Sequence, residues 1–138
     1  MLQCSDGPLL AAIAAASISK IFQFGAQGLS STAWAYSSLR YASAPLLDAI
    51  SKSSLKGMQH FNSQALANTA WSLATLRMLV SPLMASISAS SLRMIPEFAR
   101  QGLVNTAWAF AHLLVVDRPL FASISSASMP KIQNLPLN

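Results

Sequence analysis

The chain has 138 residues, of which 53% are hydrophobic and 9% charged, and nine basic residues against four acidic ones give a net charge of +5. This length would ordinarily form one domain, and the basic balance favours polyanionic partners without specifying a fold. Cys4 is the single cysteine, which excludes an internal disulfide and fits a reducing or organellar compartment better than secretion.

The chain repeats itself with a period of 37 residues. Trp34, Trp71 and Trp108 are each separated by that distance. Other residue types keep the same spacing, namely Phe24, Phe61 and Phe98, then Gln27, Gln64 and Gln101, then Pro8, Pro45, Pro82 and Pro119. A period of about 20 to 50 residues is typical of repeat arrays, whose units pack on their neighbours and share no central core. A stacked helical array also explains the apolar composition.

The array is predicted to open with a half repeat at 8–23, after a disordered N-terminus at 1–7. The half repeat holds one helix, and its apolar sequence is also compatible with a signal peptide. Asp6 stands where a signal peptide would be basic, and Ile13 is in register with the later repeats. We therefore interpret this segment as a structural helix.

Three complete repeats follow at 24–60, 61–97 and 98–130, and a tail at 131–138 ends the chain. Each repeat is predicted to hold two antiparallel helices, A and B, joined by a short connection. Helix A is predicted at 26–40, 63–77 and 99–114, and helix B at 45–56, 82–93 and 119–129. The prediction is an all-α solenoid of about 3.5 stacked helical hairpins.

Local signals support these boundaries. Asn62 is a predicted N-cap, and a proline opens each helix B, where its missing N–H costs nothing. Gly57 and Pro130 are predicted to stop the first and third copies of helix B. Polar residues interrupt the uncharged stretches of the chain, which argues against a membrane-spanning segment.

A polar stripe is predicted on one face of helix A, at positions four, eight and eleven beyond its glutamine. The three copies read Gln27, Ser31, Ala35 and Ser38, then Gln64, Asn68, Ser72 and Thr75, then Gln101, Asn105, Ala109 and His112. Stacked repeats would align these amides and hydroxyls on one surface, where they could read base edges. The alternative for the two asparagines is an inter-repeat ladder of hydrogen bonds.

The aromatic and basic residues each have two interpretations. The tryptophans are expected to fill the space between paired helices, and base stacking is the less favoured alternative. Arg40 and Arg77 share one repeat position near the end of helix A, where they would contact phosphates or neutralise the helix dipole.

No catalytic constellation is visible in the sequence. His60 and His112 are 52 residues apart, and no cluster has metal-ligand spacing. No glycine-rich phosphate loop precedes a helix. We therefore expect no enzyme activity, metal, cofactor or small-molecule substrate.

The segments QALANTAWSLATL (64–76) and QGLVNTAWAFAHL (101–113) resemble the octotricopeptide and heptatricopeptide repeats of organellar RNA-binding α-solenoids. The first copy departs by having Ser31 where the others have asparagine. The resemblance implies single-stranded RNA as the partner, with other organellar proteins, in a mitochondrion or chloroplast. It implies a role in RNA processing, stability, translation or ribosome assembly.

The predicted RNA-binding set combines the stripe with the arginines: Ser31, Ser38, Asn68, Ser72, Thr75, Asn105, His112, Arg40 and Arg77. The rival hypothesis is a protein-interaction solenoid of the armadillo or HEAT type. RNA binding should weaken steeply with salt, whereas protein docking should depend on an exposed apolar patch.

Overall fold

The computed structural model describes residues 6–133, with side chains described as far as Met129. This part of the chain forms no strand and seven α-helices, which are α1 (Gly7–Ser19), α2 (Ala26–Ser38), α3 (Ala44–Lys56), α4 (Ser63–Thr75), α5 (Ser81–Met94), α6 (Arg100–His112) and α7 (Arg118–Gln133). The predicted all-α fold is confirmed. Residues 1–5 and 134–138, which belong to the predicted disordered N-terminus and tail, lie outside the described residues.

The helix boundaries follow local signals in the sequence. Proline is the second residue of α1, α3, α5 and α7, where its missing N–H has no intrahelical acceptor. The Asn62 side chain caps α4 by accepting a hydrogen bond of 2.8 Å from the Ala65 N–H, as predicted. Gly57 ends α3. The stop predicted at Pro130 is wrong, because α7 continues to Gln133 at the cost of one backbone hydrogen bond.

Short 3₁₀ helices, which the sequence pattern did not predict, connect each helix B to the next helix A. They span Ile21–Gln23, Met58–His60 and Ile95–Glu97. Each is followed by a phenylalanine in extended conformation, and two of these, Phe61 and Phe98, are buried. The repeated phenylalanines therefore anchor the turn that leads into helix A.

The helices form two layers. Helices α2, α4 and α6 lie side by side as layer A, and α1, α3, α5 and α7 form layer B. Contacts within layer A are far more extensive than those within layer B. A Cβ placed on Gly102 would lie 3.8 Å from the Cβ of Ala67 in the neighbouring helix. Small residues therefore let the layer A helices approach closely.

The core between the layers is periodic, as expected for an array. Leu29, Leu66 and Leu103 occupy one buried repeat position of layer A. Layer B contributes a matching buried set, which consists of Leu46, Leu83, Leu120, Ile50, Ile87 and Ile124. Each repeat thus buries the same side chains against its neighbours, without a single central core.

A hydrogen bond joins the half repeat to the first complete repeat. The Tyr36 hydroxyl of α2 donates to the Leu10 carbonyl oxygen of α1 at 2.8 Å. The Tyr36 ring also packs edge-on against Tyr41, with ring centroids 5.9 Å apart. Burial, with the nearby Tyr41, raises the pKa of Tyr36, so that its hydroxyl keeps the proton it donates.

Each layer A helix ends in a turn with one residue in the left-handed conformation. In none of the three turns is that residue glycine. Arg40, Arg77 and Leu114 have φ of 54°, 55° and 58°. The Met78 N–H bonds the Leu73 carbonyl and the Arg77 N–H bonds the Ala74 carbonyl, and the other two turns repeat this pair of bonds. This is the Schellman arrangement, in which glycine normally takes the left-handed position. It ends helix A two residues earlier than predicted.

Leu66→Ala should lower the free energy of unfolding by about 3 kcal/mol, because truncation opens a cavity between the two layers. Leu66 is 0% exposed. Leu103→Ala should cost less, because a repeat at the end of an array can unfold without the others. Urea melts followed by circular dichroism measure both losses. Equal losses at the two positions would indicate one cooperative core.

Arg77→Gly should raise the free energy of unfolding by about 1 kcal/mol, because glycine adopts the left-handed conformation without a steric cost. The control is Lys52→Gly in the interior of α3, which should lower it by about 1 kcal/mol. Urea melts of both variants check the two signs. Destabilisation by Arg77→Gly would mean that the arginine side chain makes contacts worth more than the strain.

Candidate nucleic-acid interface

The solvent-facing side of layer A carries the same four positions in each helix. Positions four, seven and eleven beyond the glutamine lie within about 40° of it around a helix of 3.6 residues per turn. We call this set the exposed stripe, and it consists of Gln27, Ser31, Trp34 and Ser38, then Gln64, Asn68, Trp71 and Thr75, then Gln101, Asn105, Trp108 and His112. All twelve are exposed or partly exposed.

Ser72, which was predicted to contact RNA, does not belong to this surface, so its predicted place on the polar face is wrong. Its side chain is 0% exposed, and its hydroxyl donates to the Asn68 carbonyl oxygen at 2.6 Å. Position eight lies about 80° from the glutamine around the helix. In α4 and α6 that direction points at the preceding layer A helix, so Ser72 and its equivalent Ala109 are buried. In α2, where the described chain has no preceding helix A, Ala35 is exposed.

The tryptophans are not the fillers between paired helices that we expected. Trp34 is 48% exposed and Trp108 is 42% exposed. Trp71 is also only partly buried, although layer A helices flank it on both sides. Leucines and phenylalanines fill the space between the layers instead. The spacing of seven residues from the glutamine was the signal that places each tryptophan on the stripe.

The remaining predicted residues of the stripe lie on one surface. Ser31, Ser38 and His112 are exposed, and Asn68, Thr75 and Asn105 are partly buried beside them. The Gln101 amide donates to the Asn105 side-chain oxygen at 2.8 Å, within a single helix. Among the described residues, neither the Asn68 nor the Asn105 side chain bonds a neighbouring layer A helix, so the inter-repeat ladder that we considered as an alternative does not form.

Two grooves separate the N-terminal halves of the layer A helices. The groove between α2 and α4 has a volume of about 510 Å³ and includes Gln27, Ser31, Gln64 and Asn68 in its lining. The groove between α4 and α6 has about 420 Å³ and again includes Gln64 and Asn68, together with Gln101 and Asn105. The amide positions of neighbouring repeats therefore face a shared space.

A third groove runs across the C-terminal halves of the same helices, and we call it the tryptophan groove. It has a volume of about 390 Å³ and is lined by Ser37, Ser38, Arg40, Trp71, Thr75, Arg77, Trp108 and His112. No acidic residue lines it. The left-handed turns thus bring both predicted arginines to the same groove as the aromatic side chains.

Two details of the tryptophan groove bear on binding. The His112 ring stacks on the Trp108 ring, with centroids 4.7 Å apart and an interplanar angle of 14°. The Thr75 hydroxyl oxygen is buried without a hydrogen-bond partner in the structure. Because this oxygen is buried, a ligand could bond it only after the surrounding side chains move.

The acidic residues lie elsewhere. Asp48 pairs with Lys52 at 2.9 Å on α3, in layer B. Asp117 caps α7 by accepting from the Leu120 N–H at 3.0 Å and bonds the Ser88 hydroxyl. Glu97 lines the groove between α4 and α6. The tryptophan groove therefore combines two cationic side chains with a lining that contains no carboxylate.

Two other types of site are absent from the described residues. Among them, no three His, Cys, Asp or Glu side chains are grouped so as to hold a metal ion. No helix within 6–133 has the length and apolar character needed to cross a membrane.

Comparison with families of known proteins gives a match. Residues 3–135 match the family of RNA-editing substrate-binding complex 6 proteins. No curated protein matches the chain. The resemblance to octotricopeptide repeats stays a prediction, because the matched family is a different one.

The family bears on function and on location. It implies a role in organellar RNA processing through an RNA-editing complex. RNA-editing complex proteins of this family are mitochondrial in kinetoplastids, which agrees with the mitochondrial half of the expected location and gives the chloroplast no support. The match covers nearly the whole chain, and the chain belongs to the RNA-editing substrate-binding complex 6 family.

Proposed function

We propose that the chain binds single-stranded RNA through the exposed stripe of layer A, as a binding subunit of a mitochondrial RNA-editing complex and not as an enzyme. The observation that carries this proposal is that three stacked helices present the same polar and aromatic positions in register. Family membership supplies the RNA context.

Base recognition falls to the amide and hydroxyl positions. Helical-repeat readers assign about one base to each repeat through two or three side chains. Ser31, Asn68 and Asn105 occupy one position of the stripe, and Ser38 and Thr75 occupy another, which holds the His112 ring in the third complete repeat. Three complete repeats would therefore cover about three nucleotides. Such a footprint supports weak binding, which contacts from other proteins of the complex would strengthen.

Phosphate contacts fall to Arg40 and Arg77. Both are exposed at the end of a layer A helix and line the tryptophan groove. Guanidinium groups bind phosphate oxygens through paired N–H donors. Since the groove holds no carboxylate, no acidic side chain competes with a phosphate there.

Protein docking remains the second candidate function. Val104, Leu114 and Val116 are large apolar residues exposed near α6. Large apolar side chains exposed to solvent are a feature of protein contact sites. These residues lie outside the exposed stripe, so a protein partner there would leave the RNA surface accessible.

Arg40→Gln and Arg77→Gln should each weaken RNA binding, by a similar factor for every RNA sequence. Each should also reduce the slope of log affinity against log salt by about 0.7, the contribution of one phosphate contact on a single strand. Fluorescence anisotropy with short labelled RNAs at several salt concentrations measures both quantities. The matched control is Lys52→Gln in layer B, which removes the same charge away from the stripe.

Asn68→Ser should change the preference at one base and leave the salt slope unaltered, because it replaces an amide by the hydroxyl that the first repeat carries at Ser31. We expect a shift in preference corresponding to about 1 to 3 kcal/mol. Anisotropy titrations with four RNAs that differ at a single nucleotide measure it. If neither Asn68→Ser nor the arginine variants alter binding, RNA does not use the stripe and the protein-docking function takes its place.

A further inference from the structure

We propose that the tryptophans of the exposed stripe are stacking sites for unpaired nucleobases, one in each repeat, and that His112 occupies the third of these sites in the free protein. This inference rests on the proposed RNA binding and adds the chemical group that each repeat recognises. It predicts that the bases, and not only the phosphates, contribute to affinity.

The exposure of the indoles supports a ligand-facing role. Trp34 is about half exposed even though α4 packs beside its helix. Trp71 stays partly exposed between two flanking helices. The exposure therefore follows from the face of the helix on which the tryptophans lie and is not confined to one end of the array. A partly exposed indole on a rigid helix offers a flat surface on which a base can stack.

The third repeat already contains a planar ring in the stacked position. His112 lies four residues after Trp108, and the two rings are nearly parallel at a centroid distance of 4.7 Å. The equivalent positions in the other repeats are Ser38 and Thr75, which have no ring to cover an indole. The space that the imidazole takes in the third repeat is thus left to a ligand in the first two.

The surroundings of the indoles favour a nucleotide over an apolar partner. The tryptophan groove places Trp71 and Trp108 beside Arg40 and Arg77, with hydroxyls from serine and threonine between them. Arginine would hold the phosphate, and the hydroxyl of the exposed Ser38 is available to the base or the ribose. A single-stranded nucleotide chain offers a base to the indoles, a phosphate to the arginines and polar groups of the base or ribose to the hydroxyls.

Intrinsic tryptophan fluorescence of the full chain provides the test. Titration with a six-nucleotide RNA should quench the emission, and a six-unit abasic ribose phosphate should quench less and bind about tenfold more weakly. Trp34→Leu should lower affinity for the RNA by about tenfold while leaving affinity for the abasic chain unchanged. Trp34→Phe should restore much of the loss, because a phenyl ring still stacks.

Phe22→Leu is the matched control, because Phe22 is an aromatic residue that is 79% exposed and lies outside layer A. It should bind both probes like the unmodified chain. Circular dichroism of each variant should match that of the unmodified chain, since the substituted side chains are exposed.

His112→Ser distinguishes two roles of this residue, which are covering the Trp108 ring and contacting RNA directly. It should increase RNA affinity and quenching severalfold, because it uncovers the Trp108 ring as Ser38 leaves Trp34 uncovered. If His112 contacts RNA itself, the same substitution weakens binding and overturns the third stacking site.

The remaining outcomes are also decisive. Equal binding of the RNA and the abasic chain, with arginine variants that still weaken it, overturns base stacking and leaves the proposed RNA binding standing. Absence of binding to either probe overturns both.

Discussion

The close packing of the layer A helices is the constraint on which the rest of the structure depends. Small residues stand where these helices meet, as at Ala67 and Gly102, and allow nearly direct backbone contact. Helix axes in proteins lie about 8 to 10 Å apart depending on the contacting side chains, and small residues favour the lower end of that range. The same contact repeats along the array and holds the three copies of the exposed stripe in register.

That packing also gives each layer A helix three faces, which contact layer B, the neighbouring layer A helices and solvent. Leucines point towards layer B and form the periodic core, whereas serines and alanines point sideways at the neighbouring helices. Only the remaining face meets solvent, and it carries amides, hydroxyls and indoles. The faces that meet neighbouring layer A helices hold only small side chains, because the helices lie close together. The tryptophans therefore lie on the solvent-facing side.

The left-handed turns connect stability with binding. Glycine would relieve the backbone at Arg40 and Arg77, yet both positions carry a long cationic side chain. Strained backbone that persists in this way often accompanies a functional role for the side chain. The turn directs both arginines to the tryptophan groove. The same residues therefore carry the strained backbone and the positive charge of the groove. Leu114 has the same backbone conformation without the charge, which limits the cationic part of the groove to the first two complete repeats.

The sequence by itself determined the repeat, the all-α class and most helix boundaries. These depend on local properties, namely the fixed φ of proline, the capping oxygen of Asn62 and the phased apolar residues. It also placed Arg40 and Arg77 at one repeat position, through the 37-residue period, and most of the polar stripe on one face of helix A, through the helical period.

Only the tertiary structure decided which side of the stripe meets solvent. Positions seven and eight beyond the glutamine both lie on the side of helix A that carries the glutamine. The neighbouring helix covers position eight and leaves position seven exposed to solvent. Ser72 is therefore buried and Trp71 is not. The left-handed backbone at Arg77 was equally hidden, because its signal is normally a glycine. The burial of Ser72 arises from the neighbouring helix, whose position the period of one helix does not contain, whereas the turn at Arg77 is formed by local hydrogen bonds without the glycine that usually marks it.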